Sequence, residues 1–359
     1  MSGKTIRFNG KGQPGNLLDP HNWAGGVVPG IGDTALIATN VGGPVNGAFS
    51  VNNMMLLGTE KIVFQGILNT VGVGACKGLM VCDGATAVFA PGAVLNDGNV
   101  MIVGNDGNGT LNVTHGGVVN IGTNLDVGAC KGGLGQVAVA NGSIAVSGSL
   151  HIGGAAATAG SGTFSVGAGG VVTVAGDLGV GATGTLNLAG GSVTDGSIAG
   201  GTASHIAVQA GGIIAGFGSI SATNGAQIWD QGIIQATGGT LTVNGNIAGN
   251  GSLGIGANST AVINASTLKL AGISFLGPNA DLTLAHGSAI NAPISGFAIG
   301  DILSMASVDA VSFNASTGVL TLSEHSAFVE NLHFVGNFSG EMFTIHQQNG
   351  MGAISLQHS

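Results

Sequence analysis

The chain has 359 residues, of which 70 are glycine and only 7 proline, with 44% hydrophobic and 6% charged residues. Glycine without a three-residue period excludes collagen, and the apolar content is too high for a disordered chain. A net charge of −9 with seven Lys and Arg residues argues against a nucleic-acid partner, and no stretch approaches the roughly 18 uninterrupted apolar residues of a membrane helix, so no membrane insertion is expected.

Residues 1–50 contain Lys4, Arg7 and Lys11 and the run DPHNWAGGVVPGIGDTALIA, with Trp23, Pro20 and Pro29. The first twenty residues lack the apolar centre of a cleavable secretory leader, so export is expected by a leaderless route or with a segment outside this sequence. The composition of residues 1–50 differs from that of residues 51–295, which predicts an N-terminal cap. A stack of strands needs such a cover, because a bare edge would template further pairing.

Residues 51–295 repeat with a period of about 25. Segment 98–122 reads GNVMIVGNDGNGTLNVTHGGVVNIG, and 123–147, 148–174 and 175–198 share the same plan: a short strand ending in glycine, a glycine-rich turn, a strand of the type Thr-Leu-x-Val, a second turn and a third strand. Gly104, Gly128, Gly153 and Gly181 mark the first turn at intervals of 24, 25 and 28, Gly74 marks an earlier one, and GACKG occurs at both 74–78 and 128–132. Glycine density this high rules out helices, and strands this short cannot bury an inward face alone. Stacked coils solve both problems, since each strand then pairs with the coil above and below.

The expected fold is therefore all-β: a right-handed parallel β-helix, or β-solenoid, with three strands per coil and about nine coils, a glycine-rich repeat protein with distinct N- and C-terminal caps. Its right-handedness follows the chirality of parallel crossovers. At about 4.8 Å per coil, nine coils make a rod of roughly 45 Å. Ile102, Leu111, Val113, Val127, Val137, Val139, Ile152, Phe164, Val166, Leu178, Val180, Leu186 and Leu188 are expected to point inward as aliphatic ladders, with glycines at positive-φ corners. Cys76, Cys82 and Cys130 form no even set and no C-x-x-C, and are read as small buried side chains.

Residues 296–359 change texture again, with longer alternating strands, more phenylalanine, five of the sixteen acids (Asp301, Asp309, Glu324, Glu330, Glu341) and four of the nine histidines. They are expected to form a C-terminal β cap or interface module.

VGNDGNGTLNVTHGG at Val103–Gly117 and GVGATGTLNLAGG at Gly179–Gly191 resemble the passenger regions of bacterial autotransporters and related β-strand-repeat adhesins, over roughly residues 70–290. NWAGGVVPGIGDTALI and the closing FAIGDIL, GVLTL, FVGNFSG and FTI are similar to the ends of large exported alphaproteobacterial repeat proteins. The resemblance implies a secreted, cell-surface or biofilm-matrix protein with adhesin or structural roles; a few relatives of this repeat are hydrolases.

Motifs for chemistry are sparse. Gly179-x-Gly181-x-x-Gly184 fits a dinucleotide pattern, but a strand sequence comes next where a helix is needed, so no cofactor is expected. The turns around Asp97 and Asp106 have too few acids for a calcium loop, and Asn-Gly turn chemistry is the favoured reading. Asp126, Asp177, Asp195 and Asp230 lie in different coils, with Asp177 and Asp195 the best candidate for a carboxylate pair, and only Trp23 and Trp229 could offer a sugar a stacking platform. His325, Glu330, His333, Glu341 and His346 lack metal-ligand spacing, so no metal site is expected, and no G-x-S-x-G elbow occurs. The functional expectation is a non-catalytic extracellular structural or adhesive protein, not an enzyme, whose partners are polysaccharide or other surface components. Two alternatives are a carbohydrate-active β-helix enzyme, and a filament subunit that self-associates head to tail through its caps.

Overall fold

A computed structural model describes residues 3–72, 78–128, 130–154, 160–196, 205–284, 289–348 and 350–359. The protein is all-β, with 59% strand and 2% helix, and its stacked parallel coils form a β-solenoid of about 10 turns. It comprises two compact units, Met1–Ser204 and His205–Ser359.

In the first unit each complete coil gives one strand to each of three parallel ladders. The first ladder runs Thr5–Arg7, Thr34–Ile37, Asn53–Leu56, Leu79–Val81, Met101–Val103, Leu125–Val127, Leu150–Ile152 and Leu178–Val180. The second runs from Lys61–Phe64 through Ala85–Phe89, Asn108–Thr114, Leu134–Ala140 and Ser161–Gly167 into the start of Gly184–Gly196. The third runs from Ala48–Val51 through Ile67–Thr70, Val94–Asp97, Val118–Ile121, Ser143–Val146 and Val171–Val174 into the end of Gly184–Gly196.

Strand periodicity of two then places like residues over like. Ala87, Leu111, Val137, Phe164 and Leu186 stack in one inward row, and Phe89, Val113, Val139, Val166 and Leu188 in the next. Each fully buried aliphatic side chain contributes about 1.5–3 kcal/mol, so these rows are the main source of stability. All thirteen residues expected inward are buried, but Ile102 reaches burial differently. Its register partners are Met80 and Asp126, on the outward row of the first ladder, because the inward positions of its three-residue strand belong to Met101 and Val103.

The corner glycines also divide. Gly104, Gly128 and Gly153 have φ of 76°, 61° and 70°, a conformation that favours glycine. Gly181 needs its missing side chain for another reason: a Cβ there would strike the Gly154 carbonyl. Of the cysteines, Cys82 is buried and Cys130 only half-buried, while Cys76 and Gly74 lie outside the described residues.

The parallel ladder begins inside the segment read as a cap, at Thr5–Arg7 on Thr34–Leu36. Residues 8–33 form an excursion between these strands. Asp19 accepts the His21 backbone N–H at 2.9 Å and caps the 3-10 turn Pro20–Asn22, whose first position suits proline. Trp23 is thereby turned inward, edge-on to Phe8 at 5.3 Å and stacked on Phe49 at 6.0 Å, with its Nε1 donating to the Leu17 carbonyl at 2.8 Å.

The second unit has its own first ladder, His205–Val208, Gln227–Asp230, Ile247–Gly249, Thr267–Lys269 and Ala289–Asn291. Long bent strands, Ile213–Thr223 and Ile233–Asn244, serve two ladders each. Parallel stacking continues past Gly296 to Ile302–Ala306, which pairs with Asp281–Leu284. Met351–His358 then pairs antiparallel with Ile302–Ala306, while Ala327–Val335 lies parallel on Ile294–Ser295 and antiparallel to Val319–Glu324. Five of the six phenylalanines here form one cluster, with Phe343 within 4.5–6.0 Å of Phe297, Phe313, Phe334 and Phe338, while Phe328 is exposed.

Candidate functional site

Carboxylates on a β-solenoid are the first place to look for chemistry, and several of these are turned away from solvent. Asp97 is 2% exposed and stands in the inward row between Thr70 and Ile121. Its oxygens accept the Leu79 N–H at 2.7 Å and the Asn99 N–H at 3.0 Å, joining the third ladder to the first-ladder strand of the same coil and to the turn that leads to the next. Burial pushes its pKa up, against the opposing pull of those two N–H groups. A Cβ on Gly78 would overlap the Asp97 carboxylate, so glycine is required there. Asp301 does similar work in the second unit, accepting from the Ala280 and Ala298 N–H groups at 2.9 Å each.

Asp230 is fully buried beside Gly251, whose missing side chain makes room for the carboxylate. One oxygen accepts the Gly232 N–H at 2.9 Å, and the other has no hydrogen-bond partner among the described residues. Burial pushes its pKa from the ordinary 3.8 up to about 6. Asp195 is likewise fully buried, so Asp177 and Asp195, the best candidates for a carboxylate pair, do not form a solvent-facing site. Asp195 falls on an inward parity in Gly184–Gly196, whereas Asp177 is exposed ahead of Leu178–Val180.

The outward rows carry a different chemistry. On the first ladder Asp126 and His151 are register partners, with His151 Nδ1 2.8 Å from Asp126 Oδ1. That hydrogen bond raises the His151 pKa, against the effect of burial, and the charges of Asp126 and Asp177 add to it. On the third ladder Ser50, Asn69, Asn96 and Asn120 form a continuous amide row: Asn69 donates to Ser50 at 3.1 Å, Asn96 to Asn69 at 2.9 Å and Asn120 to Asn96 at 3.0 Å. A groove of about 360 Å³ runs beside it, lined by Thr70, Asn96, Gly98, Asn120, Ala145 and Ser147 among others. Asn264, Asn244 and Ser221 make a shorter row in the second unit, at 2.7 and 2.8 Å.

The cation readings find little geometry. Asp106 is exposed and accepts from its neighbour Asn105 at 2.7 Å, while Asp97 is committed to backbone donors. Among the described residues no group of three His, Cys, Asp or Glu side chains could hold a metal. The five C-terminal candidates are dispersed: Glu330 accepts the Ile290 N–H at 2.6 Å, His333 stands opposite Val319, Glu341 opposite His358, and His346 opposite Ala353. The His325 backbone N–H donates to Asp309 at 2.9 Å beside a cavity of about 310 Å³. Gly179–Gly184 spans a strand end, a turn and the start of another strand, with no helix to hold a phosphate.

These features define an all-β solenoid with inward carboxylate braces and polar outward rows. A scan against protein-family models finds no match to the chain, and a search of curated proteins finds none.

Proposed function

We propose that this is a non-catalytic extracellular structural or adhesive protein, a cell-surface, biofilm or matrix component whose solenoid presents rows of polar side chains. The observation that carries the reading is the division of labour among polar residues. Four carboxylates, Asp97, Asp195, Asp230 and Asp301, are withdrawn into the body, while the Ser50–Asn120 amide row lies on the outside. Rungs about 4.8 Å apart offer repeated donors and acceptors, which suits contact with an extended, repetitive partner such as polysaccharide.

The enzyme alternative draws its support from Asp126, His151 and Asp177, an outward group in which a titratable pair is held in register and joined by a hydrogen bond. A stack of copies joined strand to strand is disfavoured at the C-terminal end, where Met351–His358 covers one ladder strand by antiparallel pairing and Ala327–Val335 covers another by parallel pairing. Deleting the chain from the organism that makes it should reduce attachment to a surface, measured by dye retention of adherent cells. Both wild-type and Asp126→Asn chains should restore it. An attachment-neutral deletion, or rescue that requires Asp126, would overturn the proposal.

A further inference from the structure

On the outward side of the second unit's first ladder, Ala207, Trp229, Ala248, Lys269 and Asn291 stand in register on successive coils. Trp229 is 49% exposed, although indole is a side chain that proteins ordinarily bury. The alanines on either side are too short to cover it, so the ring is open along the row in both directions. Gln227 and Gln231 flank it along the chain, both exposed. Trp229 is the only tryptophan of residues 205–359 and Lys269 their only Lys or Arg. Lys269 is exposed and makes no ion pair among the described residues. The one acid in the described strands of this ladder, Asp230, faces inward and is fully buried, and the nearest acid on a neighbouring strand, Glu330, is engaged by the Ile290 N–H at the last rung, so the strands themselves present a cation and no outward carboxylate.

We propose that this face binds an extended, β-linked polysaccharide that carries carboxylate groups, with a sugar ring stacked on Trp229 and a uronate carboxylate on Lys269. The apolar C–H face of a pyranose matches an open indole, and its hydroxyls find the flanking amides of Gln227 and Gln231. Trp229 and Lys269 are two rungs apart, roughly 9.6 Å, about the length of a disaccharide in an extended β-linked chain. A rigid ladder would therefore address alternate sugars without bending the polymer, and association would cost little ordering of the protein. The proposal rests on the reading of the protein as a presenter of its outer faces, and names the ligand and the residues.

Two tryptophans make the test direct, because Trp23 is 1% exposed and Trp229 is the one acrylamide can reach. The full chain is titrated with β-linked polymannuronate, neutral mixed-linkage β-glucan and α-linked dextran, while acrylamide quenching is monitored. Polymannuronate should protect Trp229 most, β-glucan less and dextran not at all. By affinity electrophoresis Trp229→Ala should weaken polymannuronate binding about tenfold, and Trp229→Phe should recover part of it. Lys269→Gln should weaken it about fivefold, the size of one exposed charge contact, and leave β-glucan unchanged. Quenching unaffected by every polymer, affinity that survives Trp229→Ala in a folded chain, or a preference for polymannuronate that survives Lys269→Gln would each overturn the proposal. Reducing ends and unsaturated products are assayed in the same tubes. Turnover with Trp229-dependent binding would refute the non-catalytic reading alone, and absence of both would refute the platform alone.

Discussion

Asp230→Asn should make the protein more stable at pH 8 and flatten its stability between about pH 4 and 6. The wild-type carboxylate is fully buried, accepts one N–H from Gly232, and leaves its second oxygen without a partner among the described residues. Its pKa of about 6, raised from 3.8 by burial, means that the folded chain holds this proton more tightly than the unfolded one. The stabilising contribution is therefore fully present below the unfolded value and is lost as pH rises through the folded one. The gap between the two values corresponds to about 3 kcal/mol. Asparagine fits the space beside Gly251, keeps an acceptor for Gly232 and removes the charge. Its amide N–H₂ needs a partner of its own, at a cost of about 1–3 kcal/mol, so the expected net gain at pH 8 is up to about 2 kcal/mol. Urea unfolding of both proteins at pH 4, 6 and 8 provides the assay, and the difference between them cancels the other carboxylates. Identical pH dependence in the two proteins would refute the reasoning, as would a variant destabilised equally at every pH.

Gly78→Ala should destabilise the first unit by about 2–3 kcal/mol by driving a methyl group into the Asp97 carboxylate, measured by the shift in urea midpoint. Phe164→Ala opens a cavity between Val137 and Leu186 and should cost about 3–5 kcal/mol in the same assay. Asp126→Asn should lower the His151 pKa, read from the pH titration of its ring protons in NMR spectra. Because the folded His151 pKa is raised, the pair stabilises below about pH 6.5 and loses this contribution as pH rises through the folded value; both groups are partly exposed, so the change in stability should be under about 1 kcal/mol.

Much of the solenoid is legible in the sequence because inward rows need alternating apolar residues and corners need glycine. Leu111, Val137, Phe164 and Leu186 hold the same place in successive repeats, 26, 27 and 22 residues apart, and they stack. The repeat also holds the clue to the His151–Asp126 contact, whose members are 25 residues apart, one coil. The amide row is equally available, with Asn69, Asn96 and Asn120 separated by 27 and 24 residues. The repeat does not encode parity at the corners. A three-residue strand such as Met101–Val103 can point either one or two residues inward, so alternation alone puts Ile102 in the wrong row. Asp97, Asp195 and Asp230 lie at or next to the ends of strands whose alternation carries them inside, where composition alone suggests a solvated carboxylate. The limits of stacking are also hidden, since Thr5–Arg7 and Thr34–Ile37 are separated by a long excursion and the final parallel strand lies beyond the change in texture at Gly296.

The claim that this solenoid presents surfaces and performs no catalysis is tested most directly by incubating the purified chain with acidic and neutral polysaccharides across pH 5–8, on either side of the Asp230 value of about 6, and assaying for new reducing ends and unsaturated products. Binding without either product is expected at every pH. Turnover that disappears in Asp126→Asn or His151→Ala chains with unchanged unfolding midpoints would contradict it.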